Sequence, residues 1–185
     1  LLIAFSPLYV SIAILIKLAS PGPILFKQDR VGLHGKKFKI WKFRTMVTDA
    51  EKLQAALEAK NEIKDGVLFK LKDDPRITNV GKFLRHYSLD ELPQLFNIVL
   101  GEMSLVGPRP LPLRDVERFK TTHFIRQEVL PGITGLWQVS GRSDIDNFED
   151  GVKLDITYIE NWSIWLDLRI LFKTVGVVFN KTGAY

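Results

Sequence analysis

The 185-residue sequence contains no cysteine, so disulfides and thiolate-held metal are excluded; the absence fits a reducing compartment. It has no Walker loop and no Gly-x-Gly-x-x-Gly, the two common phosphate-cradling turns. No internal repeat or low-complexity tract is evident. No basic leader and no small-residue cleavage site bracket the first apolar segment, which argues against a signal peptide. No nucleic-acid-binding motif occurs, so nucleic acid is not expected as a partner. Acids are scarce in one region: between Lys17 and Arg44 stand eight Lys or Arg and a single acid, Asp29. Such a stretch beside an apolar segment reads as contact with an anionic membrane surface or a phosphorylated ligand. The whole chain carries a net charge of +5 and is 46% hydrophobic, high for a freely soluble protein with 25% charged residues. Its length suffices for one domain with a real core.

What is present is organised around residues 88–110, SLDELPQLFNIVLGEMSLVGPRP. Asp90 and Glu91 are adjacent carboxylates just ahead of an apolar helical run. Leu92, Leu95, Phe96, Val99 and Leu100 recur at the spacing of one helical stripe, and Gly101 is a plausible stop. Gly107-Pro108-Arg109-Pro110 is a stiff turn that holds one guanidinium. Two acids at the positive end of a helix with an arginine nearby would suit a phosphate–metal site, because dipole and cation both favour ionised carboxylates. Ser88-x-x-Glu91 is also a capping box, in which Glu91 bonds back to the cap and does no chemistry. Pro93 complicates that reading, since with Ser88 as cap its ring would clash inside the helix. From these residues alone capping and catalysis both stay open.

Residues 1–19 are apolar apart from Ser6, Ser11 and Lys17, and Pro7 interrupts them. Spanning a bilayer takes about 20 such residues. A kinked spanning helix is one reading, with Ser6 bonding a backbone group that Pro7 frees. Ser20-Pro21-Gly22-Pro23 is a hard break, taken as a boundary between residues 1–23 and a unit over 24–185. ILFKQ and KKFKIWKFR flank a Gly32/Gly35 turn and predict a β-hairpin with a basic face, Lys37 and Lys39, and an apolar face, Phe38 and Ile40. Residues 48–64 read as a charged helix. Asp73-Asp74-Pro75-Arg76 has a metal-ligand look but is read as a turn. A short helix over ITNVGKFLRHYSL follows, in which His86 is packing or surface. Residues 112–130 carry helical spacing at Val116, Phe119 and His123, with His123 a hydrogen-bonded core residue. Residues 131–135 are a turn dense enough in glycine to let backbone approach a phosphate, and Leu136–Val139 a strand. In a helix over 148–160, Asp155 shares the apolar stripe of Val152, Ile156 and Ile159. A lone buried charge is costly, so Asp155 is either half of an ion pair or a ligand contact. The tail, with Trp162 and Trp165 near Arg169 and Lys173, suits either a core or a helix lying among headgroups.

SLDELPQLFN, the GEMSLVGPRP that follows, PGITGLWQVSGR at 131–142 and KFRTM at 42–46 resemble, in order and over nearly the whole chain, the bacterial sugar transferase family, the monotopic phosphoglycosyl transferases. The resemblance implies an α/β (α+β) catalytic domain with a small sheet and surrounding helices, docked on a membrane by a re-entrant N-terminal helix broken at Ser6 and Pro7 and by interfacial amphipathic helices. Only five residues precede Ser6 and there is no initiating Met, so the re-entrant helix is expected to be truncated and the chain a fragment. The implied reaction moves a sugar-1-phosphate from a UDP-sugar, glucose or galactose by resemblance, to polyprenyl (undecaprenyl) phosphate, releasing UMP in the first membrane step of surface-polysaccharide synthesis. Its setting would be the cytoplasmic face of the bacterial inner membrane. Asp90 is then the nucleophile and Glu91 its assistant; both would bind Mg2+, and Lys42, Arg44, Arg85, Arg109, Arg142 and Asp155 would bind substrate. Tyr158 also fits the pattern, and Glu102 stands where the family usually has aspartate. The rival readings are a non-catalytic membrane-associated module that binds nucleotide-sugar or anionic lipid, and a peripheral nucleic-acid binder, against which the apolar first nineteen residues argue.

Overall fold

The computed structural model describes residues 5–57, 71, 73–141 and 147–180. It is a mixed α/β arrangement with two small sheets among short helices. Helix α1, Ser6–Ala19, carries Pro7 in its first turn, where a missing N–H costs little. The Ser6-Pro7 pair therefore starts the described helix. Residues 1–4 lie outside the described residues. The helix ends at Ser20, and Gly22 (φ +119°) turns the chain at the expected break. Ile12 and Ile16 are buried with Phe43 and Leu84, while Val10, Ile14, Leu15 and Leu18 face outward. Among the described residues no helix is long and apolar enough to cross a membrane.

Strands β1, Leu25–Val31, and β2, Lys37–Phe43, form the expected antiparallel hairpin, with Asp29 opposite Lys39. Phe38 and Ile40 are buried and Lys37 and Lys39 exposed, as the alternation predicts. Helix α2, Ala50–Leu57, is the described part of the charged helix; residues 58–70 are not described. The turn at Asp74 is structural: its carboxylate accepts the Arg76 N–H at 3.0 Å and pairs with the Arg76 guanidinium at 2.6 Å, both side chains buried. Helix α3, Asn79–His86, is capped by Thr78, whose Oγ1 accepts the Gly81 N–H.

Three departures from the sequence reading bear on the site. The helix predicted from Leu92 is shorter, α4, Gln94–Val99, and its buried face includes the polar Gln94 and Asn97. Phe96, Val99 and Leu100, from the expected apolar stripe, face outward. Asn97 wins the interior because it finds partners there: its Oδ1 accepts the Trp41 N–H, and its Nδ2 donates to the Lys39 carbonyl and to Glu102. Second, residues 112–130 hold only a four-residue helix, α5, Leu113–Val116, and a 3-10 run over Thr121–Gln127. His123 in that run is buried; its Nδ1 accepts the Lys120 N–H and its Nε2 meets Glu149. Third, Leu136–Val139 is a helical turn, α6, rather than a strand. A short apolar run does not distinguish the two by periodicity. The strand is β4, Gly132–Thr134, parallel to β3, Ser104–Val106. The glycines at 132 and 135 permit that approach: a Cβ on Gly132 would stand 2.1 Å from the Gly107 nitrogen, and one on Gly135 2.2 Å from the Gly107 carbonyl oxygen. Helices α7, Phe148–Glu160, and α8, Ile164–Asn180, close the fold. Tyr158 of α7 donates its hydroxyl to Asp167 of α8 and packs against Val106 of β3.

Candidate active site

Asp90 and Glu91 lie in a 3-10 turn, Leu89–Glu91, set off by Ser88 at φ +53° and followed by Pro93, the N-cap of α4. Ser88 makes no side-chain cap bond, so the capping box is not formed. Glu91 instead reaches across to two other elements. Its Oε1 accepts from Lys42 Nζ at 2.7 Å, on β2, and from Arg109 Nη2 at 2.6 Å, on the Pro-flanked loop. Arg109 Nη1 meets the second oxygen at 3.3 Å, a two-pronged grip. The expectation of an arginine close to the acids is met.

Asp90 is buried in the field of Lys42, Arg85 and Arg109. The sequence led us to expect a carboxylate held ionised by helix and arginines. The balance is otherwise: burial pushes its pKa up and the Glu91 charge adds to this, against the pull of the three cations. The turn also sits before α4, outside the helix end that was to supply the dipole. Burial lowers Lys42 to about 8, opposed chiefly by Glu91. It would lower Arg109 too, but Glu91 outweighs it and the Arg109 pKa is raised. Arg85 is lowered by burial, with Asp90 opposing, and its Nε donates to Thr45 Oγ1 at 2.9 Å.

The other predicted residues are placed differently. Arg44 turns to the boundary after α1, its Nη2 donating to the Ser20 carbonyl and hydroxyl at 2.7 and 2.8 Å. Asp155 pairs with Arg126, Nε to Oδ2 at 2.6 Å, both buried, so the ion-pair reading of that carboxylate describes its contact. Arg142 lies outside the described residues. Ser6 and Pro7 stand at the start of α1, away from the turn, yet α1 does reach it: the Tyr9 hydroxyl donates to the Leu92 carbonyl at 2.6 Å. Sequence reasoning missed Tyr9, Asn97, Arg126 and Arg30. No spacing rule links them to Asp90.

Among the described residues no group of three or more acids, His or Cys gathers to hold a metal. Asp90 and Glu91 alone supply hard oxygen donors. That set fits Mg2+, which takes one or two carboxylates and completes its shell with water and phosphate oxygens. What the arrangement offers is two carboxylates among three cations, Lys42, Arg85 and Arg109.

The sequence pattern that defines the family described as Bacterial sugar transferase matches residues 1–181. The chain belongs to that family. Among relatives of this sugar transferase, it is 50% identical over 163 residues to the galactosyl transferase CpsE of Streptococcus agalactiae, covering 88% of this chain and 36% of the relative. It is 49% identical over 170 residues to the undecaprenyl-phosphate galactose phosphotransferase of Salmonella typhimurium, covering 89% of this chain and 35% of the relative. Over 187 residues it is 42% identical to the exopolysaccharide production protein ExoY of Sinorhizobium fredii, spanning 100% of this chain and 82% of ExoY. The chain thus spans little more than a third of the first two relatives and most of the third.

Proposed function

We propose that this sugar transferase moves a hexose-1-phosphate, glucose or galactose, from a UDP-sugar to undecaprenyl phosphate at the cytoplasmic face of a bacterial inner membrane, opening the synthesis of a capsule or exopolysaccharide. The observation that carries the reading is the buried Asp90 beside a partly buried Glu91 that Lys42 and Arg109 both grip. A donor diphosphate needs cations, and a lipid acceptor needs a site that a membrane can reach. The names of the Salmonella relative and of a Klebsiella pneumoniae relative, UDP-glucose:undecaprenyl-phosphate glucose-1-phosphate transferase, agree with both substrates. The outward apolar residues of α1 and α8, among them Leu18, Trp165 and Phe172, would rest among lipids beside the basic stretch.

An oxygen of Asp90 attacks the sugar-bearing phosphorus. The bond to UMP breaks and its electron pair leaves with UMP. An oxygen of the polyprenyl phosphate then attacks the same phosphorus, and Asp90 departs with its electrons restored. Splitting the transfer lets a soluble nucleotide and a membrane lipid use the site in turn. Lys42 and Arg109 hold Glu91 and face the incoming phosphates, while Arg85 and Lys42 draw Asp90 toward the ionised form it needs. Mg2+ held by Asp90 and Glu91 would supply neutralising charge to the diphosphate. Enzyme mixed with UDP-glucose or UDP-galactose alone is expected to release UMP in a burst and to gain one phosphosugar on the peptide bearing Asp90, and Asp90→Asn to lose both. UMP that appears only with undecaprenyl phosphate present, with no adduct at any time, would point to direct transfer in a ternary complex. Tight donor binding with no UMP under either condition would mark a binding module.

A further inference from the structure

The loop that presents Arg109 contains two prolines, Pro108 and Pro110, and so lacks two of the N–H groups that usually pin a turn. It is held by its carbonyls instead. Four in a row each accept a bond, from three segments: Pro108 from the Gly132 N–H at 3.0 Å, Arg109 from Arg126 Nη2 at 3.1 Å, and, both from β1, Pro110 from Arg30 Nη1 at 3.1 Å and Leu111 from the Val31 N–H at 3.3 Å. The two middle bonds come from guanidiniums anchored elsewhere. Arg126 is held by Asp155 and lies 5.5 Å from the ring centres of Trp137 and Phe148. Arg30 gives its Nη2 to Gln28 at 2.7 Å. Burial and the neighbouring Arg109 lower Arg30 to about 9, which leaves it charged at neutral pH. Packing a third buried cation near Arg109 is unfavourable, and a loop carbonyl is what it gains in return.

We propose that Arg30 and Arg126 are positioning residues for the transfer reaction: gripping the Pro110 and Arg109 carbonyls from two sides, they fix the direction of the Arg109 side chain onto Glu91. The inference rests on the functional reading above for its consequence, but not for its geometry. Each guanidinium uses two separate N–H edges, one on its anchor and one on the loop. Lysine has the charge without that fork, so it is expected to keep one contact and lose the other. This explains why Asp155 shares a helix stripe with apolar residues: it orients Arg126 and acts on the site through it.

The test is a set of double-mutant cycles in urea denaturation, which read folding free energy and require no reaction. The coupling between Arg109 and Glu91 is measured with Arg109→Ala and Glu91→Gln in three backgrounds: the unaltered chain, Arg30→Gln and Arg126→Lys. Arg30→Gln breaks no direct ion pair, because Gln28 is neutral and Asp115, which also feels Arg30, keeps Arg114 at 3.0 Å; Arg126→Lys keeps a charge opposite Asp155. The coupling is expected to fall by half or more in each background, with turnover falling about tenfold alongside a cooperative melt. Coupling that persists in both backgrounds would overturn the proposal, whatever turnover does. If coupling falls while the unaltered enzyme makes neither UMP nor adduct, the positioning stands and the transferase reading fails. Should Arg126→Lys not fold, Arg30→Gln alone decides.

Discussion

With its carboxyl buried and its pKa raised, Asp90 carries its charge at a cost to the fold. The direction of the pH dependence follows. Between the free value of 3.8 and the higher native value, the folded chain holds a proton that the unfolded chain has released. Stability from this group therefore rises as pH falls from neutral through the native pKa, and the gain is complete below 3.8. Asp90→Asn removes the charge at all pH, so the variant is expected to melt above the parent at pH 7, by a margin that shrinks on acidification. A lower melting temperature at pH 7 would show that the cations outweigh burial. At this scale much was legible in advance: Asp90, Glu91, Lys42, Arg85 and Arg109 were all singled out from motifs, and the structure brings all five together. What could not be read was the field around them. Burial is a product of the whole fold, and so the sign of the Asp90 shift was misjudged from neighbours in sequence. Arg44 was singled out with Lys42, two residues apart on one motif, yet Arg44 serves Ser20.

Elements that share no sequence signal meet around the loop at 107–110. The approach of β3 and β4 depends on having no side chain at Gly132, where a Cβ would sit 2.1 Å from backbone nitrogen that cannot move aside. Gly132→Ala is expected to cost about 3 kcal/mol or more, measured by urea denaturation. Gly101 is a useful contrast. It has φ +75°, and among the described residues nothing but its chain neighbours lies within 4 Å of where a Cβ would stand, so Gly101→Ala should cost only the backbone strain, about 1–2 kcal/mol. Equal costs would mean that conformation, not contact, sets both. The hairpin, α3 and α7 were legible because their periodicity and turn residues agree. α4 was legible in place but not in orientation. An apolar stripe usually marks the buried face, but three polar bonds to Asn97 fix the opposite one, and such bonds leave no periodic trace. Leu136–Val139 failed for a simpler reason, since four residues, three of them apolar, carry too little pattern to separate strand from helical turn.

Across the whole molecule, large apolar side chains are exposed on α1, α4 and α8. On α8, Trp165, Leu168, Phe172 and Val175 follow one helical stripe, and the first and third are 74% and 76% exposed. Trp165→Ser with Phe172→Ser is expected to weaken binding to vesicles containing anionic phospholipid by about tenfold or more, because each large apolar side chain transferred is worth about 1.5–3 kcal/mol. Cosedimentation measures it, and unchanged binding would place the membrane contact elsewhere. The composition hinted at exposed apolar surface, while the faces that carry it emerged only with the packing. The interlock of β3 with β4 also has a consequence in time. The β1–β2 hairpin closes a short loop, but the pairing of Ser104 with Gly132 and of Val106 with Thr134 must wait for a much longer stretch of chain to fold back. Arg109 rides on the segment that this pairing fixes. The hairpin that carries Lys42 would therefore form before the loop that carries Arg109 is fixed. In pulse-labelled hydrogen exchange during refolding, the amides of β2 should be protected ahead of those of Gly107 and Gly132; simultaneous protection would mean that hairpin and site form in one step. A nascent chain not yet extended past Thr134 would by the same reasoning hold Asp90 and Glu91 without an Arg109 fixed beside them, on a loop that only the later strand can pin.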